Sequence, residues 1–274
     1  MKRLLRDPIG TAAALVLLAA VALALLAPFI APTDPADNDL SLAMQPPGAG
    51  LPLGADDQGR DLVTRVLFGL RLTLLVGAVS VGAGGAIGVA LGLVAAFQRR
   101  LDAPVMRSMD VLLSFPAILF GLALAGILGP GVPAVTVALS IATVPLMARI
   151  ARAAAGVEMG RDYIEAARAT GAGNARLILR HLLPNCATAL LVFATLRFGQ
   201  VILLGAALSF LGLGAQAPAA ELGAMASQGR NFLFFAPHIA VIPCAVIVVV
   251  VLACNVLGDS LRDALDPQST GRRP

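Results

Sequence analysis

Residues 161 to 185 read Arg-Asp-Tyr-Ile-Glu-Ala-Ala-Arg-Ala-Thr-Gly-Ala-Gly-Asn-Ala-Arg-Leu-Ile-Leu-Arg-His-Leu-Leu-Pro-Asn, the most polar stretch of a very apolar chain. Its local chemistry predicts two short helices meeting at a bend. Asp162 to Thr170 is rich in helix formers, and Gly171 just beyond can take the left-handed conformation that ends a helix. Asn174 is placed to cap a second helix, Arg176 and Arg180 to share a face of it, and Pro184 to stop it. Glu165, Ala166 and Ala167 precede the bend, where small side chains let another backbone come close. This is a docking surface more than a catalytic pocket, and the bland alternative is a basic amphipathic connector resting on lipid headgroups.

Outside that stretch the chain is apolar almost throughout. Of its 274 residues 58% are hydrophobic and 13% charged, with a mean hydropathy of +0.87. A water-soluble domain has no use for so much apolar surface, so the class is membrane protein. Trp is absent and Tyr163 is the only tyrosine, which leaves no Trp/Tyr belt to mark the interfaces. The net charge of +4 does not indicate nucleic acid, because the arginines are scattered among apolar runs without interleaved aromatics. Cys186, Cys244 and Cys254 lie in or beside apolar runs without metal-ligand spacing and read as packing residues.

Apolar runs divide the chain into six predicted spans. Lys2, Arg3 and Arg6 precede an uncharged run from Pro8 to Thr33; it outlasts a signal-peptide core and reads as an uncleaved first membrane helix of about 20 residues. Residues 32–71 form an acidic, proline-rich extramembrane loop, in which Asp56 and Asp61 cap turns and short helices. Leu72 to Gln98 is the second span, with Gly84, Gly88 and Gly92 in a stripe that admits a close neighbour. A short polar loop to Asp110 leads to the third span, Val111 to Leu128, kinked or initiated at Ser114-Phe115-Pro116.

The fourth span has only 15 uncharged residues, Ala134 to Ala148, roughly 22 Å against a core of about 30 Å. It must continue through Arg149 and Arg152, whose side chains snorkel to the headgroups. The fifth, Cys186 to Leu213, is interrupted by Arg197 and Gln200. Arg197 falls about 18 Å along its helix from Asn185, near mid-bilayer, so the two are candidates either for a translocation pathway or for a buried, paired charge. Asn231 to Gly258 contains the sixth span, and 259–274 is a polar tail.

Of the 20 basic residues, fifteen fall on the side of the N-terminus and of residues 161–185. Four fall opposite (Arg60, Arg65, Arg71 and Arg230), and Arg197 lies within the membrane. The positive-inside rule places both termini and the polar stretch in the cytoplasm.

The chain has one lysine, Lys2. A phosphate-binding loop of the Gly-x-x-x-x-Gly-Lys-Ser/Thr kind is therefore excluded, and any ATP hydrolysis must occur on another polypeptide. His181 and His238 lie on opposite sides of the membrane, which removes a two-histidine metal site. No catalytic or metal constellation emerges.

Glu165-Ala166-Ala167, Gly171 and Leu182-Leu183-Pro184 together resemble the EAA loop of permease subunits in binding-protein-dependent ABC importers. Leu53-Gly54-Ala55-Asp56-Asp57-Gln58-Gly59-Arg60-Asp61 is similar to a signature of the dipeptide, oligopeptide and nickel permeases, with Ala55 in place of Thr. Ser209-Phe210-Leu211-Gly212-Leu213-Gly214 and Leu261-Arg262-Asp263-Ala264-Leu265-Asp266-Pro267 also resemble that group, although Gly205 stands where an acidic residue is expected.

The resemblance implies an all-α, six-helix membrane protein of the type I importer permease fold, the second permease subunit of its importer. Its organisation would be an N-terminal segment and first helix (1–31), an extracytoplasmic loop (32–71), a transmembrane domain (72–258) holding the coupling loop (157–185), and a cytoplasmic tail (259–274). The coupling residues implied are Tyr163, Glu165, Ala166, Ala167, Gly171, Leu183 and Pro184. The implied partners are a related permease, two cytoplasmic ATPases carrying ATP and Mg, and an extracytoplasmic solute-binding protein. No cofactor is expected on this chain. A secondary transporter and a non-transporting membrane scaffold or receptor subunit are the competing classes, and the cargo is open among small peptides, nickel chelates, glutathione and sugar-derived conjugates.

Overall fold

Two helices packed backbone to backbone form the centre of the molecule, which the computed structural model describes at residues 7–48 and 50–265. They are α2 (Leu62–Phe97) and α5 (Val132–Met159), the most extensively packed pair of elements. Gly84, Gly88 and Gly92 of α2 lie against the carbonyls of Ser140, Val144 and Ala148 of α5, so closely that a Cβ at any of the three would collide with backbone. Both contact series advance by four residues together, so the two helices run parallel. The small-residue stripe thus replaces side-chain interdigitation by main-chain approach, the packing that lipid favours.

The other elements surround this pair. α1 (Pro8–Ile30) starts at Asp7, whose carboxylate accepts from the Ile9 amide at 3.1 Å, with Pro8 in the first turn. α3 (Arg99–Ser114) and α4 (Ala117–Leu128) follow α2. After α5 come α6 (Asp162–Ala169), a short helical turn α7 (Asn174–Arg176), a π-helical turn (Leu177–Leu182) and α8 (Leu183–Phe210). α9 (Leu222–Gly229) and α10 (His238–Leu265) complete the order. No strand occurs among the described residues. The main apolar core joins α1, the first half of α2, α8, α9 and α10 through residues such as Ala24, Leu70, Ile202, Met225 and Ile247.

Among the described residues five helices are long and apolar enough to cross a membrane, and α3 with α4 forms a sixth unit bent by 84°. This third span differs from expectation. α4 has 12 residues, about 18 Å, too short to cross alone. The expected polar loop of residues 98–110 is instead the amphipathic helix α3. Its Asp102 accepts from Arg152 Nη2 at 2.6 Å and its Asp110 pairs with Arg149. Arg149 and Arg152 therefore end in carboxylates of this chain rather than in the headgroups expected for them. Sequence reasoning read the charges of α3 as a loop signal because no single run of apolar residues marks an interfacial helix.

Helix α2 also begins earlier than the predicted second span. Its first ten residues, 62–71, belong to the segment expected to be loop; Asp61 caps the helix by accepting from the Thr64 amide at 2.8 Å. The preceding signature folds into a buried ionic knot. Asp56 accepts from Arg60 Nε at 2.6 Å and Arg65 Nε at 3.1 Å, and from the Gln58 and Arg60 amides. The fourth predicted span, extended past Arg149 and Arg152, matches α5, and the sixth predicted segment, Asn231 to Gly258, overlaps α10, which starts at His238 and runs on to Leu265. Lys2, Arg3 and Arg6 at one end, and Asp266, Pro267, Arg272 and Arg273 at the other, lie outside the described residues.

Cross-chain hydrogen bonds tie the ends of the spans together. Ser260 of α10 donates to Asp7 at 2.6 Å, so α1 begins beside the point where α10 ends. At the other face, His238 Nε2 lies 3.2 Å from the Ala55 carbonyl oxygen, joining the start of α10 to the signature loop.

The glycine seam gives a direct test. Gly88→Ala, whose new methyl would strike the Val144 carbonyl, should lower stability by about 2 kcal/mol. Gly82→Ala on the same helix, with open space at its Cβ, should be neutral or slightly stabilising. Thermal unfolding of the detergent-solubilised variants checks this; equal melting temperatures would contradict the seam.

Candidate functional site

The polar stretch folds as an eight-residue helix clamped from behind. Asp162 and Glu165 sit in the first turn of α6 and Arg168 in its last, the arrangement the helix dipole favours. The helix closes as the sequence predicts: Gly171 has φ +83°, its amide bonds to the Arg168 carbonyl at 2.9 Å, and the Ala172 amide reaches the Ala167 carbonyl at 3.0 Å. That 6→1 bond beside a left-handed residue is the Schellman arrangement.

Three contacts hold α6 to the membrane helices. Ile164 is fully buried. The Tyr163 hydroxyl donates to Glu158 Oε2 at 2.6 Å, joining α6 to the last turn of α5. The Arg168 guanidinium lies 5.6 Å from the ring centroid of Phe97, at the end of α2. The opposite surface is free: Asp162, Glu165, Ala166, Ala169 and Gly171 are exposed, and Ala167 is half-buried. Sequence reasoning singled out Tyr163, Glu165, Ala166, Ala167 and Gly171 and overlooked Ile164, the only large aliphatic residue of α6, whose isolation among polar neighbours was the available signal.

Beyond the bend the expectation needs correction. Gly173, not Asn174, occupies the cap position, and Asn174 makes no capping bond through its side chain. Pro184 does not stop the helix. Residues 174–210 run on as one element, because the turn Leu177–Leu182 widens to π geometry and the Leu183 amide reaches Ile178. A proline has no amide to donate and its ring crowds the carbonyl four residues back; the wider turn accommodates both defects. Leu183 and Pro184 therefore belong to the start of α8, not to the docking helix. Tyr163 connects the two regions, its ring centroid 6.3 Å from that of His181.

In the middle of α8, Arg197 is 7% exposed. Its guanidinium donates from Nε to Thr143 Oγ1 at 3.3 Å, from Nη2 to the Ala142 carbonyl at 3.1 Å and from Nη1 to Gln200 Oε1 at 3.2 Å. All three acceptors are neutral. Pro145 interrupts the hydrogen-bond ladder of α5 close to this site, three residues beyond the Ala142 carbonyl that the arginine reaches. Gln200 is exposed on the outer surface of α8.

Gly205 lines a cavity of about 20 Å³ with Thr73, Ser209 and Glu221. Glu221 is buried and fully engaged, accepting from Thr73 Oγ1 at 3.1 Å and from the Gly223 and Ala224 amides at 3.0 and 2.9 Å. Sequence reasoning passed over Glu221, although it is the only acidic residue between Glu165 and Asp259.

Comparison with known proteins gives concordant matches. Residues 88–270 match the family described as "Binding-protein-dependent transport system inner membrane component". Residues 1–47 match the "N-terminal TM domain of oligopeptide transport permease C". The chain is 42% identical to the glutathione transport system permease protein GsiD of Pectobacterium atrosepticum, over 97% of this chain and 89% of that protein. It is 42% identical to the di/tripeptide transport system permease protein DppC of Pseudomonas aeruginosa, over 89% of this chain and 83% of that one. Among solved structures, inward-facing MetNI, a methionine ABC transporter, contains a similar chain with a TM-score of 0.62 at 23% identity, covering 74% of this chain and 96% of that one.

Tyr163 makes the clamp measurable, since it is the chain's only tyrosine. Burial, followed by the hydrogen bond to Glu158, pushes its pKa from 10.0 up to about 12. Its proton is held more tightly in the folded state, so this contribution to stability is complete below pH 10.0 and is lost as pH rises through about 12. Phenolate absorbance of the full chain should report ionisation well above that of free tyrosine, and a lower value in Glu158→Gln. An unshifted titration would mean that the clamp is absent.

Proposed function

Because the chain belongs to the binding-protein-dependent transport system inner membrane components, we propose that it couples ATP hydrolysis on partner subunits to solute passage through α6. It is a permease component of a peptide- or glutathione-type ABC importer, a membrane-spanning transport subunit and not a self-contained enzyme. The observation that carries the coupling reading is the two-sided build of α6: pinned behind by Ile164, Tyr163 and Arg168, open in front at Glu165 and Ala166.

In this reading a cleft of the cytoplasmic ATPase receives α6. Glu165 meets the ATPase surface, Ala166 and Ala167 permit close approach, and Gly171 sets the bend. When two ATPases close on ATP and Mg, α6 travels with them. The Tyr163–Glu158 bond draws on α5, the Arg168–Phe97 contact on α2, and the chain through the π turn, with Leu183 and Pro184, draws on α8. The membrane helices then switch access from one side to the other around a pathway shared with a second, related permease. An extracytoplasmic solute-binding protein delivers cargo opposite α6. Both termini lie on the ATPase side, a placement supported by the basic residues and by the Asp7–Ser260 bond between the ends of the outermost spans. No cofactor binds this chain.

Arg197 and Gln200 fit the same scheme. An exposed carboxamide at mid-span is costly against lipid, so the Gln200 face of α8 turns to the second permease or to the water-filled path. Arg197 behind it holds that carboxamide in place. The cargo is a small peptide or a peptide-like solute such as glutathione, after the names of the relatives.

Purification of the membrane complex through this chain tests the coupling surface. The unmodified chain should bring down an ATPase and a second permease; Glu165→Arg should lose the ATPase, keep the permease and abolish uptake. An ATPase retained at full yield by Glu165→Arg, with normal uptake, would overturn the assignment of α6. Gly171→Val, which forces a β-branched residue to φ +83°, should cut uptake at least about tenfold with membrane insertion intact, as uptake assays and membrane immunoblots would register.

A further inference from the structure

The turn between α9 and α10 carries the most exposed aromatic side chains in the described residues. Phe234 is 98% and Phe235 86% exposed, with Leu233 at 47% beside them. Their exposure is built in. The Phe235 and Ala236 amides both bond to the Phe232 carbonyl, at 3.0 and 2.7 Å, Ala236 is buried, and Phe232 packs on the main core. The turn is thus fastened from inside while three large apolar side chains point outward.

We propose that this turn is an interfacial membrane anchor, seated at the headgroup–acyl boundary of the leaflet opposite α6. Three observations select lipid as the occupant. The first is level. α10 is uncharged from Ile239 to Gly258, 20 residues, whose length of about 30 Å fills the hydrocarbon core. The Phe234–Phe235 pair lies just before that run, at headgroup depth. His238 confirms the side, since it touches the Ala55 carbonyl next to the start of α2, whereas α2 ends at α6.

The second is continuity. The aromatic tip leads into an exposed apolar face of α10 through Val241, Val248 and Leu252, the surface that the bilayer itself covers. The third is charge. Arg230, exposed three residues before Leu233, lies 5.1 Å from the ring centroid of Phe210, the last residue of α8, which puts an exposed cation at the same end of the membrane helices, where it can reach lipid phosphate. A chain with no Trp here supplies with phenylalanine and arginine the two halves that an interfacial tryptophan combines.

The absence of Trp also makes the test clean. Phe234→Trp gives the full-length chain a single tryptophan at an exposed position, and the variant is reconstituted into nanodiscs of phosphatidylcholine with phosphatidylglycerol. Bromine placed high on the acyl chain should cut its emission about twofold, bromine near the methyl end should cut it less, and aqueous iodide should have little effect. Adding Arg230→Glu should weaken the bromolipid quenching. Strong iodide quenching without bromolipid quenching would place the turn in water, and protection from both would place it under another protein; either result overturns the anchor. Phe235→Trp repeats the measurement should the first variant express poorly. The readout is depth in the bilayer, so it stands apart from the cargo and ATPase assignments.

Discussion

The structure depends on main-chain approach between α2 and α5. In lipid there is no hydrophobic driving force between apolar helices, so association rests on dispersion contacts at short range and on satisfied polar groups. Gly84, Gly88 and Gly92 remove the side chains that would hold the two backbones apart. Because the partners recur every four residues on both helices, the seam fixes register as well as distance. α5 carries the docking helix at its end, and α2 reaches the same place through Phe97. The two helices that contact α6 are therefore the two that are least free to move against each other.

Much of this was legible in the chain. The six apolar runs, the seam glycines and the helix end at Gly171 follow from periodicity, residue size and backbone conformation, which are local properties. The exposed half of the docking surface was legible for the same reason: Glu165 and Ala166 announce themselves as polar and small. The anchoring half was not, because the burial of Ile164 and the reach of Tyr163 to Glu158 depend on where α5 ends, which no local rule fixes. α3 was misjudged for a related reason. Its aspartates look like loop residues until Arg149 and Arg152 come to meet them from a helix 39 and 50 residues away.

Prolines illustrate how context decides. Pro116 separates two helices at a sharp bend, Pro145 sits inside α5 beside Arg197, and Pro184 lies in a helix that passes through it. One covalent fact, the missing amide, thus yields a corner, a break in the ladder of α5 and a widened turn. Arg197 lies close to the second of these. Its charge rests on neutral oxygens, among them a carbonyl of the interrupted helix and a threonine hydroxyl, a solvation shell made of protein in place of water.

The π turn has a geometric consequence for the whole surface. A π turn holds one residue more than the α-helix it interrupts, and one residue corresponds to about 100° of rotation about the axis. The face that α8 turns toward its neighbours, relative to the short helical turn α7 before it, is thus a phase offset by a single surplus residue between Leu177 and Leu182.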